Sequence, residues 1–163
     1  MDQESEELFS TVQQMVSSIR NIQAEMGFSP KVPLNIFLKP KEIGLKDSFE
    51  STEWIFRKLI AVESITVNPE ITKPPASASA VVDGSELYIP LEGLIDLGKE
   101  RERIKKEIEN TKGFLQSVEK KLANDQFVEN APAEVVERER HKQQDAGSKL
   151  EKLQSLFDDL ETD

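Results

Sequence analysis

The sequence predicts an α+β chain in which an N-terminal helix packs with a small βαββ unit and is followed by a long antiparallel α-helical coiled-coil hairpin. Three observations predict it. Apolar residues recur at helical spacing along 3–26. Between Lys31 and Leu91 the period shortens to that of strands. From Leu91 to Leu160 two amphipathic segments of matching length flank the short polar turn DQFVEN. The chain accordingly divides into 1–30, 31–91 and 92–163.

The first element places Leu8, Val12, Met15, Val16, Ile19, Ile22 and Met26 on one helix face. Asp2, Glu4, Glu6 and Glu7 suit the positive end of its dipole, and Gly27 followed by Pro30 stops it. So wide an apolar face belongs to one member of a bundle whose other members are missing, or to a cover for the next unit. In that unit VPLNIFL at 32–38 reads as a strand, with Pro40 and Gly44 at its exit. Asp47 or Ser48 caps a helix running through Ala61, with Trp54, Ile55, Leu59 and Ile60 on its buried side. SITV at 64–67 is a second strand. Asp83-Gly84, between SASAVV at 77–82 and ELYIP at 86–90, predicts a two-residue hairpin. A unit of about sixty residues is marginal alone. The helix over 3–26 is therefore expected to cover the sheet surface that the second helix leaves open.

In the last part, Leu94, Leu97, Ile104, Ile108, Leu115, Val118 and Leu122 follow steps of three and four along one helix. Val136, Ala146, Leu150, Leu153, Phe157 and Leu160 do so along the next, with Arg101, Thr111, Glu139 and Gln143 interrupting. An antiparallel register setting Leu94 on Leu160 and Val118 on Val136 also brings Thr111 to Gln143. A slide of one heptad would bury polar groups against apolar ones, at about 1–3 kcal/mol each. In the favoured register Glu107 and Lys149 flank the seam, and Lys112 and Arg140 fall near each other. Asn130 is the expected cap of the second helix, with Pro132 in its first turn and Glu134 complementing the dipole. Phe127 and Val128 form an apolar pair exposed at the tip. Helices of roughly 45 Å, at 1.5 Å per residue, suit reach better than enclosure.

Composition narrows the chemistry. The chain of 163 residues has no cysteine, which excludes disulfides and thiol catalysis, and its one histidine, His141, faces outward from the seam, which argues against a histidine metal site. No apolar run approaches a membrane span, and the acidic, amphipathic start is unlike a signal peptide. There is no phosphate-cradling glycine loop, no His-Glu-x-x-His helix and no nucleophile elbow. Asp158-Asp159 reads as a solvated helix end, and Trp54 and Tyr88 as core. A net charge of −10 opposes generic polyanion binding. Charges roughly cancel between Lys99 and Lys142, so a nucleic-acid contact would be local to that stretch. Its cations are Arg101, Arg103, Lys105, Lys106, Lys112, Lys120 and Lys121 on the first helix and Arg138, Arg140 and Lys142 on the second. Mixed-charge solubilisation of a coiled coil explains such a pattern too, but the like-charge pair Lys112 and Arg140 does nothing for the fold and points to an anionic partner.

Several stretches together resemble one family. IPLEGLIDLGKERERIKKEI at 89–108 resembles the strand-to-arm junction of bacterial valyl-tRNA synthetases, FVENAPAEVVERER at 127–140 their hairpin turn and returning helix, and SSIRNIQAEMGFSP at 17–30 the last helix of their anticodon-binding bundle. The resemblance implies the C-terminal region of a class I aminoacyl-tRNA synthetase: 1–30 ending the bundle, 31–91 the βαββ unit, 92–163 a tRNA-binding arm. The parent enzyme uses ATP and Mg to attach valine to its tRNA, in domains absent here, so this piece is expected to need no cofactor and to catalyse nothing alone. The family's arm leans on the outer corner of tRNA, where the D and T loops meet. That role falls here to Arg103, Lys105, Lys106, Lys112, Lys120, Lys121, Phe127, Arg138, Arg140 and Lys142. The cations would follow phosphates and the tip would pack on exposed bases. Relatives often carry a second arginine where Gln23 stands, so only Arg20 transfers as an anticodon-domain contact. The implied partners are valine-specific tRNA and the rest of the parent, in the cytoplasm and away from membranes, with the chain a monomer. The rival reading is a coiled-coil interaction or scaffolding module whose hairpin pairs with a second copy.

Overall fold

Helix α1 spans Gln3–Met26, in a computed structural model that describes residues 3–161; Asp2 lies outside the described residues. Val12, Met15, Val16, Ile19, Ile22 and Met26 are buried, while Leu8 is half-buried. Gly27, at φ +70°, ends the helix. Its N–H donates to the Ala24 carbonyl at 3.3 Å and that of Phe28 to the Gln23 carbonyl at 3.2 Å, closing the left-handed turn that glycine adopts at little cost.

Four strands follow as β1 (Leu34–Lys39), β2 (Val62–Val67), β3 (Ser77–Val82) and β4 (Ser85–Pro90), within a few residues of the predicted bounds. They form one sheet of order β2-β1-β4-β3. β1 runs parallel to β2 and antiparallel to β4, and β3 pairs antiparallel with β4. A parallel pair needs a crossover, and the helical stretch between β1 and β2 provides it. The β3–β4 hairpin turns on Asp83 and Gly84, at φ 50° and 80°, both positive as a type I′ turn requires. The Asp83 carboxylate also accepts the Thr11 hydroxyl at 2.6 Å, tying α1 to the hairpin.

The crossover corrects one expectation. Instead of a single helix to Ala61 there is a 3₁₀ turn (Ile43–Leu45), then α2 (Lys46–Glu50) and α3 (Glu53–Leu59), and no side chain caps α2. Ser51 and Thr52 stand at the break. Their hydroxyls donate back to the Ser48 and Phe49 carbonyls at 2.6 and 2.7 Å, the local bonding by which Ser and Thr compete with a helix. The break resets the phase. Phe49, Ile55, Phe56 and Ile60 are buried, whereas Trp54 is 62% and Leu59 42% exposed, so neither belongs to the core assigned to them. α1 packs on β3 and on α3, and α2 and α3 pack on β2. The helices thus share the sheet face of Leu34, Ile36, Leu38, Leu87 and Ile89, all fully buried, as the covering role of α1 predicted.

The chain clusters into two compact units, one formed by residues up to 97 together with those from 159 onward, the other by 98–158. In the first, Leu160 is fully buried and the Asp159 carboxylate is bonded to the Lys73 ammonium and, at 3.5 Å, to the Ser79 hydroxyl. Asp158 is solvated as expected; Asp159 is not.

The second unit takes in α4 (Leu97–Leu122), α5 (Asp125–Asn130) and α6 (Ala133–Asp159), the two long helices packed together. Ile104, Ile108, Thr111 and Val118 of α4 and Val136, Glu139, Ala146 and Leu153 of α6 are buried. Pairs across the helices descend on α6 as they ascend on α4: Arg101 lies over the Phe157 ring at 5.3 Å, Glu107 meets Lys149 at 3.0 Å and Lys121 meets Glu139 at 3.8 Å. The Thr111 hydroxyl donates to the Glu107 carbonyl of its own helix at 2.7 Å, so its burial needs no help from Gln143.

The turn is itself helical. The Asn124 side chain caps α5, accepting the N–H groups of Gln126 and Phe127 at 3.1 and 3.4 Å. Asn130, expected to cap α6, instead donates its side-chain amide to the Gln126 carbonyl at 2.9 Å. Phe127 and Val128 are accordingly half-buried rather than exposed.

Candidate nucleic-acid interface

The cations of the second unit fall into two groups, separated by how far the protein already neutralises them. Arg103 donates to Glu100 and, at 3.0 Å, to Glu107; the bond it donates to Glu100 holds the guanidinium above its usual range, against the effect of burial. Lys142 at 2.8 Å and Lys121 at 3.8 Å converge on Glu139. That carboxylate is only 6% exposed and is held below the usual range, first by the hydrogen bond from Lys142. Lys149 does the same for Glu107. Looser, exposed pairs join Arg138 to Glu134 at 3.6 Å and Arg140 to Glu137 at 3.5 Å. Lys105, Lys106, Lys112 and Lys120 are exposed and have no ion-pair partner among the described residues.

Helical spacing places these groups around the pair. Glu107 and Phe114 precede the seam positions Ile108 and Leu115 by one residue; with Lys142 and Lys149 they line a groove along one flank. Phe114 is 49% exposed there. Lys105, Lys112 and Arg140 follow the buried Ile104, Thr111 and Glu139 by one residue and so lie on the opposite flank. Lys112 and Arg140 thus share a flank, as the sequence predicts. Phe127 sits half-buried in α5. Arg20, in the first unit, is exposed and donates from Nη2 to the Leu59 carbonyl at 3.2 Å.

The sequence alone does not single out Glu139, which reads there as an interruption of the seam. Lysines at 121 and 142 within reach of a seam carboxylate were the available signal. Nor does the sequence single out Phe114, whose place just ahead of Leu115 marks it as flanking the seam.

Residues 96–161 match the family model described as the valyl tRNA synthetase tRNA binding arm, a span nearly coincident with the two-helix unit. The wider chain is similar to valine–tRNA ligases. That of Thermotoga maritima is 36% identical over 162 residues, covering 99% of this chain and 18% of the relative. That of Chlorobaculum tepidum is 34% identical over 152 residues, 93% of this chain and 17% of the relative. That of Geobacillus stearothermophilus is 31% identical over 159 residues, 98% and 18%. The chain matches the C-terminal region of valyl-tRNA synthetases. It spans less than a fifth of those relatives' length.

In the unit that matches the arm model, the ion pair Glu107–Lys149 lies on one flank, and the exposed Lys105 and Lys112, unpaired among the described residues, lie on the other. No group of three or more His, Cys, Asp or Glu is placed to hold a metal ion among the described residues. No helix among them is long and apolar enough to cross a membrane.

Proposed function

We propose that the chain serves as the tRNA-contacting C-terminal region of a valyl-tRNA synthetase, its two-helix unit resting against the outer corner of tRNA as an antiparallel coiled-coil hairpin. One observation carries the reading: the family match to a tRNA binding arm falls on the unit where exposed lysines stand without carboxylate partners. Cations spaced along a rigid helix follow phosphates and fix the position of an RNA without reading its sequence. The α5 tip, with Phe127 and Val128 half-buried, offers an apolar end against bases at the loop–loop corner. Arg20 is kept as a candidate contact of the first unit.

In this reading valine activation, with its ATP and Mg, belongs to the parent's other domains, in the cytoplasm. The chain supports valylation by holding the RNA and catalyses nothing alone. Titration of the isolated chain with deacylated tRNA, at low and moderate salt, tests it. Weak binding that fades with salt is expected, because the chain's net charge is adverse. Absence of binding at high micromolar protein, with a mass that rises with concentration, would instead establish the self-pairing scaffold. Lys112→Ala with Arg140→Ala is expected to weaken binding; an unchanged affinity would remove both from the site.

A further inference from the structure

The last turn of α6 runs against helix electrostatics. It ends on Asp158 and Asp159 and holds no basic residue, so two carboxylates stand where the helix dipole favours cations. Asp158 is solvated, which tempers the repulsion, but Asp159 is 7% exposed and gains little from water. Its partners belong, as it does, to the sheet unit. They are the Lys73 ammonium in the loop before β3 and, at 3.5 Å, the Ser79 hydroxyl on β3. Leu160 follows with no exposed surface, and the Glu161 carbonyl accepts the Ala76 N–H at 3.0 Å. The receiving loop is stiff. Pro74 and Pro75 fix two backbone angles between Lys73 and Ala76, and Ala76 stands at φ +47°, a conformation that persists only where its surroundings enforce it. A local cost to α6 and a strained alanine thus meet in one contact.

We infer that Lys73 and Ala76 form an anchor for the chain leaving the two-helix unit, and that Asp159 and Leu160 are positioning residues that fasten that unit at a second point. The first passage of the chain is fixed where Leu91, fully buried, donates its N–H to the Ala76 carbonyl at 2.9 Å. With the tail bound as well, both passages end on one residue. A single tether leaves the attached body free to swivel; a second removes most of that freedom. Independent movement of the two-helix unit then requires breaking the Lys73–Asp159 pair and withdrawing Leu160, which strands a buried charge and exposes apolar surface. For an RNA partner, fixing the unit beforehand lowers the ordering cost of binding. That consequence rests on the function proposed above, whereas the anchor itself does not.

The test uses the whole chain. Asp159→Lys replaces an acid by a base at the C-terminal end of α6, so it suits the helix dipole while setting two ammonium groups against each other at Lys73. Helix content should be kept, and backbone amide relaxation should show residues 98–158 reorienting independently of the sheet, where the wild type moves as one body. Adding Lys73→Asp restores opposite charges and should restore the single body, a rescue that a merely structural role of either side chain would not give. Affinity for deacylated tRNA should fall several-fold in Asp159→Lys and recover in the pair. Independent motion in the wild type, one body in Asp159→Lys, or no recovery on adding Lys73→Asp would overturn the anchor. Loss of the sheet's amide signals in Asp159→Lys would do so too, by assigning Asp159 to the fold of that unit. Unchanged tRNA affinity alongside independent motion would overturn the positioning role. A wild type that binds no tRNA would overturn the proposed function alone, since relaxation still judges the anchor.

Discussion

Ala76 donates its N–H to the Glu161 carbonyl at 3.0 Å, while its own carbonyl accepts the Leu91 N–H at 2.9 Å. One residue at the entrance to β3 thus binds the segment that follows α6 and the segment that precedes α4. It does so at φ +47° and 5% exposure, a left-handed conformation that costs an L-residue about 1–2 kcal/mol. Ala76→Gly removes that strain and returns about 0.4–1 kcal/mol of unfolded-state entropy, so its urea midpoint is expected to move little. Ala76→Val puts a β-branched side chain into a buried left-handed site and is expected to lose about 2 kcal/mol or more. Equal midpoints for the two variants would show that the conformation is not under strain.

The carboxylates between the long helices make their stability depend on pH. Glu107 and Glu139 both titrate below the ordinary carboxylate value, chiefly through hydrogen bonds from Lys149 and Lys142 respectively. A group whose pKa is lowered on folding stabilises above its unfolded value and loses that contribution as the pH falls through the folded one. Helix melting followed by circular dichroism should therefore shift to lower temperature as the pH drops below about 4.5, the unperturbed value. Glu107→Gln with Glu139→Gln should melt earlier at pH 7 and show a flatter pH dependence. A variant curve parallel to the wild type would remove these two groups from the effect.

The same groups show what was legible in the sequence and what was not. Elements bounded by backbone chemistry were readable: Gly27 stops α1, and Asp83-Gly84 turns the hairpin, because few residues accept positive φ. The phase of α3 was not. It depends on whether the Ser51 and Thr52 hydroxyls turn back on the preceding carbonyls, which the residue types permit without requiring. Asn124 and Asn130 are equally good caps by type, and only the helical path of 125–130 decides between them. For the candidate interface, the positions of the cations were readable and their availability was not. Whether a lysine is free depends on pairs across the helices such as Glu107 with Lys149.

The lone tyrosine and lone tryptophan report on opposite environments. Tyr88 is 3% exposed, its hydroxyl donates to the Glu86 carboxylate, and burial followed by that hydrogen bond raises its pKa to about 12. Tyrosinate absorbance should accordingly appear about two units later than the ordinary value of about 10. Because the folded pKa is the higher, stability from this group is complete below pH 10 and lost as the pH rises towards about 12. Trp54, at 62% exposure, should emit as a solvated indole and be quenched by iodide without unfolding. Shielded fluorescence would show that Trp54 is covered in solution.

Gln23 offers a test of a polar group buried without a partner. Its side chain is 3% exposed, and its Nε2 finds no acceptor among the described residues, a situation that costs about 1–3 kcal/mol. Its carbonyl, by contrast, is needed, since it receives the Phe28 N–H in the turn that ends α1; any side chain preserves it. Gln23→Met keeps the length and removes the unsatisfied donor, so it should raise the thermal midpoint by a few degrees, on the order of 1 kcal/mol. Gln23→Ala also removes the donor but leaves a void beside α1, which offsets the gain. The ordering Met above wild type, with Ala below Met, isolates the amide from the volume it fills. A Met variant less stable than wild type would mean that the amide is satisfied in solution.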